Sequence, residues 1–481
     1  MDDVVERYRA AVAGGRLTEF SLRDYDRTGV PVVATVWEYD GRDAHGVGYG
    51  GTEHAAQIGA LGELAERVVL GRTLRRAPVR RASHTELVRE LGATGVADPL
   101  TLGLPAGSTY TGDRPLDWMP MQRWRTGETV LVPAEFVASD NDSLPAGPPP
   151  GGWLTTAITN GLGAGDTVER AVGHGLLELL QRDGDTVSFR AMDTGVVVDI
   201  DASTDPETRS IVAGFRAVGI DPVVKLAATE FVNVVYCVGR DEDPDTPPMA
   251  LGAMGEAAHP DRDVAIRKSL LEYASSRARR VFAFGPLERV RELSPEYLRD
   301  ELARPLGDQE PRALQEMAAW SGWDAARMRD VLRPYFERHE RTVSPGDLVA
   351  TGDLAPEQLL TRLLDQLHDF DVLVAVSEPV DGADVIRAAK VVVPGIEVET
   401  LSYLRIGERV TRRLLERGSP LVGRGVPDRP DRLPIRLTER AQTNLGGPVW
   451  LDAAAVEATV GPLYPLYREP RRHAVARSAG G

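Results

Sequence analysis

Cysteine is nearly missing from this chain: Cys237 is the single one in 481 residues. One thiol excludes a disulfide framework and a cysteine zinc site. It stands inside the apolar run FVNVVYCVGR, which reads as a buried strand thiol rather than a nucleophile. Lysine is scarce as well, with only Lys225, Lys268 and Lys390, so arginine supplies nearly all the positive charge. Acidic residues outnumber basic ones, 72 to 56, and the formal charge of −16 excludes a nucleic-acid or anionic-membrane partner, which would need a basic surface. No apolar run approaches the roughly 20 residues of a membrane span. The opening MDDVVERYRA is charged and amphipathic, unlike a secretory signal, so a cytoplasmic protein is expected. No G-x-x-x-x-G-K-[ST] occurs, which excludes an ordinary P-loop kinase or ATPase.

What is present alternates in character along the chain. VPVVATVWEYDG and TVLVPAEFVA are rich in β-branched residues, bounded by turn residues, and predict strands. Proline and glycine density predicts exposed loops at 139–152, 241–248 and 423–434. Residues 294–368 read as a mostly helical insertion without strand-like runs, after which DVLVAVSEP and KVVVPG return to strand. Strands and helices mix without strict βαβ alternation, so an α+β fold is expected.

Three long helices are predicted, at 53–72, 167–182 and 261–281. In the first, Ile58, Leu61, Leu64 and Val68 follow helical spacing. On another face stand Gly59, Glu63 and Glu66, with the two carboxylates one turn apart. Gly59 and Gly62 each cost roughly 1 kcal/mol relative to alanine inside a helix, which predicts close approach by something else. In ITNGLGAGDTVERAVGHGLLELLQRDG (158–184), a glycine-rich lead-in runs into a helix whose polar stripe is Arg170, His174, Glu178 and Arg182, with Gln181 beside it. The lead-in could present backbone N–H groups to an anion. In the third helix Glu272, Ser276 and Arg277 lie close together. A solvated helix face is the plain reading of each stripe, since an exposed i,i+4 pair contributes only about 0.3–0.5 kcal/mol. Carboxylates on separate helices facing a phosphate make chemical sense with Mg²⁺ between them.

Taken in order, GYGGTEHAAQIGALGELAER, ITNGLGAGDTVERAVGHGLLELLQRD, AIRKSLLEYASSRA and VVVPGIE resemble the four landmarks of the YcaO domain family, and TGETVLVPAEFV fits the approach to the second. The resemblance implies a YcaO-like fold with long helices packed on mixed and antiparallel sheets and a nucleotide site between the helices. It divides the chain into an N-terminal extension (1–30), a catalytic domain (31–405) and a C-terminal segment (406–481). It implies ATP and Mg²⁺ as cofactors and a ribosomally made precursor peptide as substrate. The backbone amide oxygen would be phosphorylated after nucleophilic attack, giving an azoline, an amidine or a thioamide. By position, Glu63 and Glu66 match the pair that binds Mg²⁺ and phosphate, Glu178 and Arg182 an acidic ligand and a basic contact, and Arg277 a phosphate-contacting arginine. Glu66 and Glu178 are the implied catalytic residues, and Glu63 completes the implied metal set.

The chain departs from the family pattern at three places. Glycine replaces a serine at Gly59, and Arg170 and Gln181 stand where glutamates are usual. Arg170 could then pair with phosphate directly or with Glu63, Glu66 or Glu178. Two functions remain open on this sequence. One is a stand-alone enzyme of the bottromycin or thioamide type, or one aided by a separate leader-binding or sulfur-donor partner. The other is a degenerate member that holds a peptide or partner enzyme without ATP turnover. Dimers are common among such enzymes. The C-terminal stretch GPLYPLYREPRRHAVARSAGG departs from the proline-rich tail of azoline-forming relatives.

Overall fold

The structure, a computed structural model, describes residues 4–145, 147–307, 309–378, 386–398 and 404–478. It is α+β, and the chain divides into two compact interleaved units. Unit 1 comprises Met1–Val12, Ala65–Val187 and Asp353–Ala458; unit 2 comprises Ala13–Leu64, Ser188–Gly352 and Thr459–Gly481.

Unit 1 is built on an antiparallel sheet in the order Arg80–Ser83, Pro115–Arg123, Leu373–Val376, Arg387–Val392, Leu162–Gly165, with Thr129–Pro133 also paired to Pro115–Arg123. The helix Val168–Asp185 packs on its last two strands. Glycine makes this approach possible. A Cβ on Gly163 of the last strand would lie 2.0 Å from the Ala171 carbonyl oxygen of that helix. A smaller antiparallel sheet has Val449–Asp452 at its centre, flanked by Val422–Arg424 and Arg432–Pro434. These flanking strands correct the expectation of a loop over 423–434. Both are edges only three residues long, where a missing proline N–H is tolerated.

Unit 2 holds an antiparallel meander, Arg16–Ser21, Val32–Tyr39 and Arg42–Tyr49, whose second turn is the left-handed pair Asp40–Gly41. Its second sheet runs Gly255–His259, Asn233–Asp241, Ile220–Ala228, Val196–Val198, Arg341–Val343. Only the last pairing is parallel. Arg341–Val343 lies inside the stretch expected to lack strands; three residues with two exposed side chains leave no apolar run to detect. Within 294–368 helices occupy Pro295–Ala303, Pro311–Ser321 and Ala325–Phe336 in unit 2, and Pro356–Gln366 in unit 1. Helix Arg262–Phe284 packs on the sheet, and Cys237 is fully buried beneath it among Val198, Val224, Val235, Leu270 and Tyr273. Burial pushes its thiol well above the usual range, so it is not a thiolate nucleophile.

Candidate functional site

Helix Glu53–Leu74 begins where Thr52 Oγ1 accepts the Ala55 N–H (3.1 Å) and passes from unit 2 into unit 1 after Leu64. Within unit 2 its glycine face meets the meander. A Cβ on Gly59 would stand 3.1 Å from Gly48 Cα, and one on Gly48 only 2.0 Å from the Ala56 carbonyl oxygen. The partner that small residues demanded at Gly59 is therefore the chain's own strand Arg42–Tyr49. Glu63 is half-buried and accepts the Val47 N–H at 2.8 Å.

In unit 1, Glu66 is buried, and its Oε1 lies 3.4 Å from Nδ1 of the exposed His174. On the same helix as His174, Glu178 Oε2 accepts the Gly161 N–H (3.0 Å), while its Oε1 lies 3.8 Å from Arg182 Nη2. The expectation that this lead-in offers its N–H groups to an anion is corrected at Gly161, whose donor is already taken by Glu178. Below the turn, Lys390 Nζ donates to the carbonyls of Ile158 and Asn160, each at 2.7 Å. Burial pushes its pKa down to about 7, with Glu178 acting in the opposite direction. Tyr8, on the N-terminal helix Val4–Ala11, stands close enough to Glu66, Arg170 and Asp166 to feel their charges. Its hydroxyl is pushed up to about 12, first by burial and then by Glu66. Gln181 and Arg182 are half-buried on helix Val168–Asp185.

Arg170 sits differently from expectation. Its side chain is 52% exposed and Nε donates to Asp166 at 2.7 Å, one turn earlier. An exposed ion pair of this kind contributes only about 0–1 kcal/mol. Arg170→Glu is therefore expected to leave ATP affinity unchanged across a Mg²⁺ titration, giving curves that superimpose on the wild type. Divergence at low Mg²⁺ would instead place the guanidinium on phosphate.

The third helix also corrects an expectation. Arg277 is fully buried, with Nε on Asp26 (2.8 Å), Nη2 on Asp241 (2.9 Å) and Nη1 on the Tyr273 hydroxyl (3.2 Å). Its donors are committed to the interior of unit 2, so a phosphate contact does not follow from this position. The groups facing the other way on this helix are Lys268, Glu272 and Arg279, at i, i+4 and i+11. Glu272 accepts from the Tyr49 hydroxyl (3.1 Å), which burial and Glu272 together push well above its usual range. Burial would lower the Arg279 guanidinium, but Glu469, Glu63, Glu272 and Glu256 raise it overall.

The fourth landmark is tied to the second by a hydrogen bond. Asp183, at the end of helix Val168–Asp185, accepts the Glu397 N–H (3.2 Å) and binds Arg409 (3.0 Å) and Arg413 (2.7 Å). Glu397 in turn caps helix Glu408–Glu416 by accepting the N–H groups of Gly407, Arg409 and Val410.

The chain matches the family model described as YcaO cyclodehydratase, ATP- and Mg²⁺-binding, over residues 47–397, and it belongs to that family. An uncharacterized protein of Methanothermobacter thermautotrophicus is 27% identical over 405 residues, 82% of this chain and 92% of the relative. An uncharacterized protein in the tfuA 3′ region of Rhizobium leguminosarum bv. trifolii is 25% identical over 317 residues, 63% and 66% of the two chains. Among solved structures, a heterocyclase in complex with substrate and cofactor superposes with a TM-score of 0.61 at 16% identity, over 86% of this chain and 54% of that one. This chain thus spans about half the heterocyclase's length. YcaO from Methanopyrus kandleri, bound with AMPPCP and Mg²⁺, superposes at 0.55 with 21% identity, over 89% and 93%. These likenesses show the YcaO fold. Among the described residues no helix is long and apolar enough to cross a membrane.

ATP and Mg²⁺ are the cofactors of this family. The donor chemistry fits them. Glu66 and Glu178 are hard oxygen donors already oriented by His174 and by the Gly161 N–H. Among the described residues no three His, Cys, Asp or Glu side chains form a dedicated metal cage. Mg²⁺ commonly needs only one or two carboxylates, completing its octahedron with phosphate oxygens and water.

Proposed function

We propose that this protein is an ATP-dependent enzyme that modifies a backbone amide of a ribosomally synthesised precursor peptide, by cyclodehydration to an azoline or by amidine or thioamide formation. The observation that carries this reading is the pair of oriented carboxylates, Glu66 on His174 and Glu178 on the Gly161 N–H, in a chain matched to the family over 47–397. ATP would supply the phosphoryl group that turns the amide oxygen into a leaving group. Glu66 and Glu178, both in unit 1, would hold Mg²⁺. Arg182, part-exposed beside Glu178, offers a guanidinium to phosphate. Gln181 provides an amide on the same helix where a third carboxylate would raise the negative charge. A separate protein would present the leader or, for a thioamide, the sulfur.

Calorimetric titration of the full chain with a non-hydrolysable ATP analogue tests this reading. Binding is expected with Mg²⁺ and much weaker binding without it, because two carboxylates repel bare phosphate. No detectable binding at millimolar nucleotide overturns the enzyme reading in favour of a protein that holds its peptide without turnover.

A further inference from the structure

Three arginines of unit 2 lie outside the residues given a role so far, and Arg280 stands near enough to Arg279 and Arg190 to feel their charges. Arg190 has a left-handed backbone (φ 57°), unusual for a residue with a long side chain. Its guanidinium lies between the rings of Phe189 and Tyr467, 4.6 and 4.7 Å from their centroids, with Nη2 3.4 Å from Glu256. The Ala191 N–H donates to the Tyr467 hydroxyl at 3.1 Å, fixing that ring. Arg280 is 3% exposed and gives Nη1 to Glu469, while its Nε and Nη2 are buried without a hydrogen-bond partner among the described residues. The Nε atoms of Arg190 and Arg279 are in the same condition. Burial lowers the Arg280 guanidinium; Glu469 opposes this, and Arg279 and Arg190 add to it.

We propose that Arg190, Arg279 and Arg280 form a carboxylate-binding subsite, in which Glu469 of the C-terminal segment is the resident occupant. Orphaned buried N–H donors on a guanidinium are expensive unless an acceptor reaches them, and two parallel N–H bonds to one carboxylate are the geometry a guanidinium favours. The other carboxylates near Arg279 are fixed: Glu63 and Glu272 by long helices and Glu256 by a strand. Glu469 alone stands on irregular chain, between Tyr464–Tyr467 and Ala474–Ser478, and its side chain is 36% exposed. The flanking residues are anchored, the side chain of Arg468 to Glu310 and that of Arg471 to Glu301, and the Arg471 N–H donates to Gln309 Oε1 at 2.9 Å. Only the Glu469 side chain has to swing for an incoming carboxylate, such as an acidic residue of a peptide, to take its place.

The test uses the full chain without nucleotide, so its outcome is independent of the ATP reading, with N-acetylglutamate as probe at matched ionic strength. Glu469→Ala removes the occupant, and N-acetylglutamate is expected to bind at least about tenfold more tightly than to the wild type, raising the melting temperature accordingly. Adding Arg190→Gln, a change at a less buried side chain than Arg280, is expected to abolish that gain. Equal affinity of wild type and Glu469→Ala overturns the proposal, as does a gain that survives Arg190→Gln. Inorganic phosphate binding Glu469→Ala more tightly than N-acetylglutamate overturns the carboxylate assignment.

Discussion

Glu66→Ala is expected to lower ATP turnover in the presence of the precursor peptide by at least about 10²–10³-fold while the protein remains folded. The magnitude is that of removing one preorganised group that meets charge developing in the transition state. Glu66 is suited to that part because it is buried and held by a histidine, so its carboxylate is placed before substrate arrives. Loss of this side chain removes its contact with His174, whose side chain is 53% exposed, and thermal melting without nucleotide should move less than turnover does. His174→Ala should produce a smaller fall than Glu66→Ala, because it frees the carboxylate's orientation without removing the oxygen donors. A Glu66→Ala protein that melts normally and keeps wild-type turnover would take Glu66 out of the site.

The elements that could be read from sequence were those with a strong local signal. The three long helices were predicted within a few residues of Glu53–Leu74, Val168–Asp185 and Arg262–Phe284, since apolar spacing over five turns or more is hard to mistake. The three-residue strands Arg341–Val343, Val422–Arg424 and Arg432–Pro434 could not be read, because their pairing is decided by partners distant in the chain.

The site residues divide along the same line. Glu63, Glu66 and Glu178 lie on predicted helix faces, and their carboxylates meet the partners described above. Arg277 misled because helical spacing gives a direction around an axis but not which side is buried. Its two acidic partners, Asp26 and Asp241, come from other segments. Gly59 misled more subtly. The inference of close approach was right, yet the approaching body is Gly48 of the neighbouring strand. Tyr8 carries no motif, and its nearness to Glu66 is a product of the fold alone. Lys390 is legible in the sequence, as one of three lysines in the chain and the charged residue of the apolar run AAKVVVPG.

That lysine supports the prediction with the largest effect on stability. Lys390→Met should destabilise unit 1 by about 2–5 kcal/mol, because the carbonyls of Ile158 and Asn160 would lose the Lys390 Nζ donor, at about 1–3 kcal/mol each. The effect should depend on pH in a specific direction. The Lys390 pKa falls from 10.5 in the unfolded chain to about 7 in the fold, so between those values the unfolded state binds more protons. Below about pH 7 the buried ammonium carries its full desolvation penalty. As pH rises from 7 towards 10.5 the penalty is relieved, while a neutral amine still has two N–H bonds for the two carbonyls. Glu178 and Asp140 favour the charged form and Arg405 opposes it, so these neighbours set where in that window the change falls. Wild type and Lys390→Met should therefore differ more at pH 9 than at pH 6.5 in denaturant midpoint. The same turn carries the Gly161 N–H that holds Glu178, so the variant should also bind the ATP analogue more weakly with Mg²⁺ present. A gap in stability that is constant from pH 6.5 to 9 would show that Lys390 stays charged throughout, with its ammonium balanced by Glu178 and Asp140.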